Sequence, residues 1–77
     1  MAVRAAQRPG PQPLYVQVRR ILRQRIEAGD WTPGAGLPSE FALADELGVS
    51  QGTVRKALDA LGEEGLIVRR QGRGTFV

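Results

Sequence analysis

Between Glu40 and Asp59 two apolar stripes of helical period meet across a Gly-Val-Ser junction, and no other stretch limits the fold so tightly. Leu43, Ala44 and Leu47 share one face of a short helix at 3.6 residues per turn. Gly48 follows, where a chain leaving a helix often turns into the left-handed region that glycine adopts at little cost. Ser50 is placed to cap a second helix by accepting from a free backbone N–H. Val54, Ala57, Leu58 and Leu61 give that second helix its own stripe. Small Ala44 lets the two helices approach across a tight turn, which predicts a helix-turn-helix. Any helical hairpin shares some of these features. Their joint order, apolar stripe, glycine, valine, polar cap, second stripe, favours a hairpin that reads DNA.

The rest of the chain must complete one small domain, since 77 residues bury only a modest core. With no Cys there is no disulfide framework and no thiolate metal site; with no His the commonest acid–base catalyst and metal ligand is missing. These absences, and the lack of convergent acids, speak against an enzyme, a metal site or a bound cofactor. No apolar run approaches the roughly 20 residues of a membrane span, and the first residues lack a signal-peptide core, so a cytoplasmic chain is expected. The net charge is +3, unevenly spread. Residues 1–29 hold six Arg against one acid, residues 50–77 five basic against three acidic residues, and residues 30–49 four acids and no base. That asymmetry suits a face turned toward a polyanion, with a solvated arginine-rich surface as the other reading.

In chain order, residues 1–12 read as a flexible basic tail and residues 13–77 as the folded domain. From Leu14 to about Ala28, the positions Leu14, Tyr15, Val18, Ile21, Leu22 and Ile26 predict one helix packed along a single stripe. Pro13 suits its start and Gly29 its end. Arg19, Arg20 and Arg23 lie outside the stripe, open to solvent, a DNA backbone or a neighbouring subunit. Arg25 lies within it, its stem packing and its head reaching out. Pro33-Gly34 fits the centre of a type II turn. The sole tryptophan, Trp31, is read as a packing residue rather than a base-stacking platform. Leu37-Pro38 predicts an extended piece and Ser39 the cap of the next helix, with Glu40 at the positive end of its dipole. Gly65 ends the helix begun at Ser50, and Leu66 folds back on it. Leu66–Arg70 and Thr75–Val77 then flank Gln71-Gly72-Arg73-Gly74 as a hairpin with a glycine-rich tip. The expected fold class is mainly α with a small β-hairpin: a winged helix-turn-helix, three helices plus a two- to three-stranded wing sheet.

From Leu14 to Val77 the chain resembles the N-terminal DNA-binding domain of the GntR family of bacterial transcription regulators. The resemblance rests on Leu14-Tyr15-x-Gln17, Gly29, Pro33-Gly34, Leu37-Pro38-Ser39-Glu40, Leu47-Gly48-Val49-Ser50, Thr53-Val54-Arg55, Ala57-Leu58, Leu61, Glu64-Gly65-Leu66 and Gln71 to Val77. Its opening is similar to the branches of the histidine-utilisation and YtrA-type repressors. Two positions depart from the family pattern: Phe41 and Gln51 stand where relatives usually carry DNA-contacting arginines. The resemblance implies binding of a double-stranded operator, a short inverted repeat, by a homodimer, and a repressor's function. It also implies an effector-binding domain lying beyond this chain.

Within that frame the helix from Ser50 to Glu64 enters the major groove with its N-terminal end leading, because its basic and neutral residues come first and Asp59 and Glu63 later. Arg55 is the leading candidate for base readout, its fork matching guanine O6 and N7, and Asp59 is expected to support it at i+4. Gln51 matches adenine N6 and N7, which predicts an A·T preference. Gly52 admits the backbone close to DNA, and Lys56 lies on the same outward face. Ser39, Ser50 and Thr53 suit phosphate contacts, with a purely structural capping role as the equal alternative for Ser50 and Thr53. At the wing, Arg73 between Gly72 and Gly74 enters the minor groove or meets phosphate, with Gln71 beside it and Arg69 and Arg70 as weaker backbone candidates. Phe41, at the edge of its buried arc, is read as completing packing, with a ring exposed near DNA as the alternative. The competing function is a winged helix that docks a protein without specific DNA readout.

Overall fold

Five elements follow one another in the computed structural model, which describes residues 13–77: α1 (Leu14–Glu27), α2 (Glu40–Leu47), α3 (Gln51–Glu63), β1 (Val68–Arg70) and β2 (Gly74–Phe76). The basic tail assigned to residues 1–12 lies outside the described residues. Helix α3 is central, with α1 and α2 packed against it. Val18 and Leu22 from α1, Leu43 and Ala44 from α2, and Val54, Ala57, Leu58 and Leu61 from α3 close one core with Ile67. Ile26, Trp31, Leu37, Leu47, Val49 and Leu66 border it. These are the stripes that helical periodicity assigned, because a residue every 3.6 positions returns to the same face.

Both helices of the central motif start on the predicted caps. The Ser39 hydroxyl accepts from the Ala42 N–H at 3.0 Å, and the Ser50 hydroxyl from the Thr53 N–H at 3.1 Å. Each replaces a bond that the first turn of a helix cannot make within itself. The turn between them depends on Gly48, which adopts φ 69° and lets the Val49 N–H reach back to the Ala44 carbonyl at 3.0 Å. The same closure ends α3, where the Leu66 N–H donates to the Leu61 carbonyl at 3.1 Å. It fixes the angle at which the chain leaves for the wing.

The wing is an antiparallel pair in which Val68, Arg69 and Arg70 face Phe76, Thr75 and Gly74. A third stretch joins it, through a bridge between Gly36 and Phe76 and a bond from the Leu37 N–H to the Thr75 carbonyl at 2.8 Å. The two- to three-stranded expectation is thereby resolved: two strands, edged by one extended segment. Pro33-Gly34 forms the type II turn, with Gly34 at φ 86° and the Ala35 N–H bonded to the Thr32 carbonyl at 2.9 Å. The Val77 N–H and carbonyl are bonded to Ala35 and Gly34, so the chain end is stitched to that turn.

Three expectations are corrected. Leu14 and Ile21 were placed on the packed stripe of α1, yet they are 49% and 40% exposed; Val18 and Leu22 are the α1 residues buried in the core. Phe41 was read as packing, yet it is 72% exposed, because Leu43 and Ala44 already occupy the α2 face that meets α3. The Arg55–Asp59 pair along α3 does not form: Arg55 turns to Glu40 of α2, and Asp59 to Arg69 of β1. Cross-element partners outcompete a helix-surface pair worth about 0.2–0.5 kcal/mol.

Candidate nucleic-acid interface

The N-terminal ends of α2 and α3 and the wing hairpin border one open groove. Pro38, Ser39, Glu40, Phe41, Gln51, Arg69, Arg70, Gln71, Gly72 and Arg73 are among its lining residues. Eight of the residues singled out in the sequence therefore share one surface feature, although they are spread over more than thirty positions: Ser39, Phe41, Gln51, Gln71, Gly72, Arg73 and the weaker candidates Arg69 and Arg70. Arg55 joins them from the next turn of α3 through its contact with Glu40.

Glu40 is the residue that sequence reasoning missed. It was assigned only to the helix dipole, but its carboxylate is the hub of the groove. Oε1 accepts from Gln51 Nε2 at 3.1 Å and from Arg55 Nε at 3.3 Å, and Oε2 accepts from an Arg69 Nη. Burial alone would raise the Glu40 pKa. The bonds from Arg69 and Gln51 and the Arg55 charge outweigh it and hold the carboxyl below its ordinary value. Its donors come from positions 11, 15 and 29 residues further on, so no local pattern announces the hub.

Arg69 is engaged rather than extended. Its Nε lies 3.3 Å from Asp59 Oδ1 and its Nη2 is bonded to Glu40, so it braces β1 against α2 and α3. Its remaining Nη1 is buried without a hydrogen-bond partner among the described residues. At the start of α3 the Ser50 and Thr53 hydroxyls lie 2.9 Å apart, and Ser50 Oγ accepts from the Thr53 N–H. Gly52 is exposed, and a Cβ built there meets nothing closer than Ser50 Oγ at 3.9 Å, so the fold itself does not require glycine at this position. Lys56 lies on the α1 side of α3, its ammonium 4.4 Å from the centre of the Tyr15 ring, apart from the Glu40 cluster. Arg73 is exposed at the tip, its N–H closing the turn on the Arg70 carbonyl at 2.9 Å.

Arg19, Arg23 and Arg25 are tethered away from the groove. Arg19 and Arg23 pair with Glu64 just beyond α3, joining α1 to it. Arg25 lies over Trp31, 4.7 Å from its ring centre, and pairs with Asp30 and Glu46, so the tryptophan serves packing as expected. No group of acids able to hold a metal ion is found among the described residues, and no described helix is long and apolar enough to cross a membrane.

Comparison with known proteins gives the arrangement a context. The chain is 48% identical over 68 residues to the Histidine utilization repressor of Pseudomonas putida, covering 88% of this chain and 27% of that protein. It is 46% identical over 67 residues to the HTH-type transcriptional repressor NagR of Bacillus subtilis (strain 168), covering 87% of this chain and 28% of that one. It thus spans little more than a quarter of the length of these relatives. Among solved structures it is similar to AraR(DBD) in complex with operator ORE1, with a TM-score of 0.83 and 39% identity over 87% of this chain and 82% of that chain. The family model described as bacterial regulatory proteins, gntR family, matches residues 14–77, and the chain belongs to that family.

Proposed function

We propose that this chain is the sequence-reading module of a bacterial transcription regulator, a repressor like the relatives named above, and that it binds a short inverted repeat as a homodimer on double-stranded DNA. The observation that carries the reading is the shared groove: the leading end of α3 and the Arg73 tip flank it, in a fold whose solved likeness AraR(DBD) is bound to an operator. Helix α3 enters the major groove with Gln51 and Gly52 foremost, Arg55 reads guanine, and Arg73 meets the minor groove or the adjacent phosphates. Arg70 and Gln71 support the wing contact, and Ser39 lies close enough to the groove for a phosphate. Arg69 acts as a brace, and Lys56 approaches the backbone from the Tyr15 flank.

Asp59 and Glu63, facing outward on the later turns of α3, oppose any deeper insertion, which sets the orientation of the helix. Effector binding, stable dimerisation and cytoplasmic residence belong to the whole regulator. The test is selection of bound duplexes from a random pool, followed by salt titration of the winning sequence. A defined motif whose affinity falls steeply with salt is expected, because each phosphate neutralised by Arg or Lys releases counterions. No enrichment, with salt-independent capture of a protein partner instead, would replace this reading with the protein-docking one.

A further inference from the structure

A carboxylate can only accept hydrogen bonds, so the Gln51 amide must turn its NH2 toward Glu40 Oε1, 3.1 Å away. Its carbonyl is thereby left to accept from another partner. The same oxygen takes Arg55 Nε at 3.3 Å, which leaves the terminal Nη1–Nη2 fork of that guanidinium for another partner. Glu40 itself is poorly placed to read a base: its side chain is 19% exposed, against 58% for Arg55, and it already accepts from three residues of two other elements.

We propose that Glu40 is the positioning residue that decides what α3 reads, fixing Gln51 as an outward acceptor and Arg55 as an outward two-pronged donor. The inference rests on the DNA-reading function proposed above. An outward acceptor matches a base with an exocyclic amino group in the major groove, adenine N6 or cytosine N4; adenine also offers N7 to the second amide proton and is the preferred partner. The Arg55 fork takes guanine O6 and N7. Four residues of helix advance about 6 Å, and bases are spaced at about 3.4 Å, so the adenine lies within about two base pairs of the guanine. Without Glu40 the amide rotates freely and its NH2 also satisfies guanine or thymine acceptors.

The experiment selects duplexes with the wild-type chain and with Glu40→Ala, Gln51→Ala and the double variant, with circular dichroism confirming that each is folded. Wild type is expected to enrich adenine within two base pairs of guanine. Glu40→Ala and Gln51→Ala are each expected to flatten that adenine position, the double variant to flatten it no further, and Glu40→Ala also to weaken the guanine preference carried by Arg55. The inference is overturned if Glu40→Ala keeps the adenine, or if it relaxes a position other than this adenine and the guanine read by Arg55, since Glu40 would then read a base directly. Should Glu40→Ala fail to fold, wild type decides the matter: replacing the selected adenine by purine, which lacks the 6-amino group, is expected to weaken binding about five- to tenfold. Unchanged affinity for the purine duplex overturns the inference. If wild type enriches no motif at all, the DNA-reading function itself fails. A motif lacking an adenine near guanine sinks only the role given to Glu40.

Discussion

Replacing Gly52 by alanine should stabilise the fold and weaken DNA binding, two effects of opposite sign from one methyl group. Gly52 is the second residue of α3, behind the Ser50 cap, and glycine in a helix is less favourable than alanine by about 0.5–1 kcal/mol. The added Cβ finds its nearest neighbour at 3.9 Å, ordinary van der Waals contact, so no strain offsets that gain. For a domain of this size the gain raises the unfolding midpoint by about 2–8 °C. On DNA the same methyl occupies the space through which the leading backbone of α3 approaches the base edges. A loss of at least about 1 kcal/mol, roughly fivefold in Kd, is expected. Thermal unfolding followed by circular dichroism measures the first effect, and fluorescence anisotropy on a selected duplex the second. A lowered midpoint would refute the helical geometry at Gly52. A higher midpoint with undiminished affinity would refute the close approach of this backbone to DNA.

Other perturbations separate core, cap, electrostatics and interface. Leu22→Ala, at a side chain with no exposed surface, should lower the unfolding free energy by about 2–5 kcal/mol in urea titration, a large share of a small domain's total. Ser50→Ala should remove about 0.5–2 kcal/mol through loss of the α3 cap, with amide exchange accelerating first at the start of that helix. Glu40 has a folded pKa held below its ordinary 4.5, so the stability it contributes is complete above that value and is lost as pH falls through the folded one. Urea titrations across that acid range should therefore show a steeper decline for wild type than for Glu40→Gln. Arg73→Ala should weaken binding about equally for all sequences and reduce the salt slope by about one, whereas Arg55→Ala should cost about 1–3 kcal/mol and relax one base position.

The parts of the fold visible in the sequence are those written locally. Leu43, Ala44, Val54, Leu58 and Leu61 recur at helical spacing, Ser39 and Ser50 stand where caps are needed, and Gly48 stands where the turn requires positive φ; all take the expected places. Residues whose environment depends on how elements meet were harder to place. Phe41 lies at the margin of its stripe, and only the angle between α2 and α3 decides that Leu43 and Ala44 fill the contact and leave the ring outside. Arg55 had a plausible partner four residues along its own helix, but the fold supplied Glu40 from another. The Glu40 hub joins α2, α3 and β1, and long-range convergence of that kind leaves no periodic trace.

Amide chemical-shift mapping of the folded chain during titration with a selected duplex tests most directly whether one surface reads DNA. Large changes are expected at residues 50–56 and 70–74 together, with residues 24–30 at the far end of α1 unmoved and with a scrambled duplex giving smaller, salt-sensitive shifts. Changes confined to the far end of α1, or the same pattern and size with any duplex, would contradict a recognition surface formed by α3 and the wing.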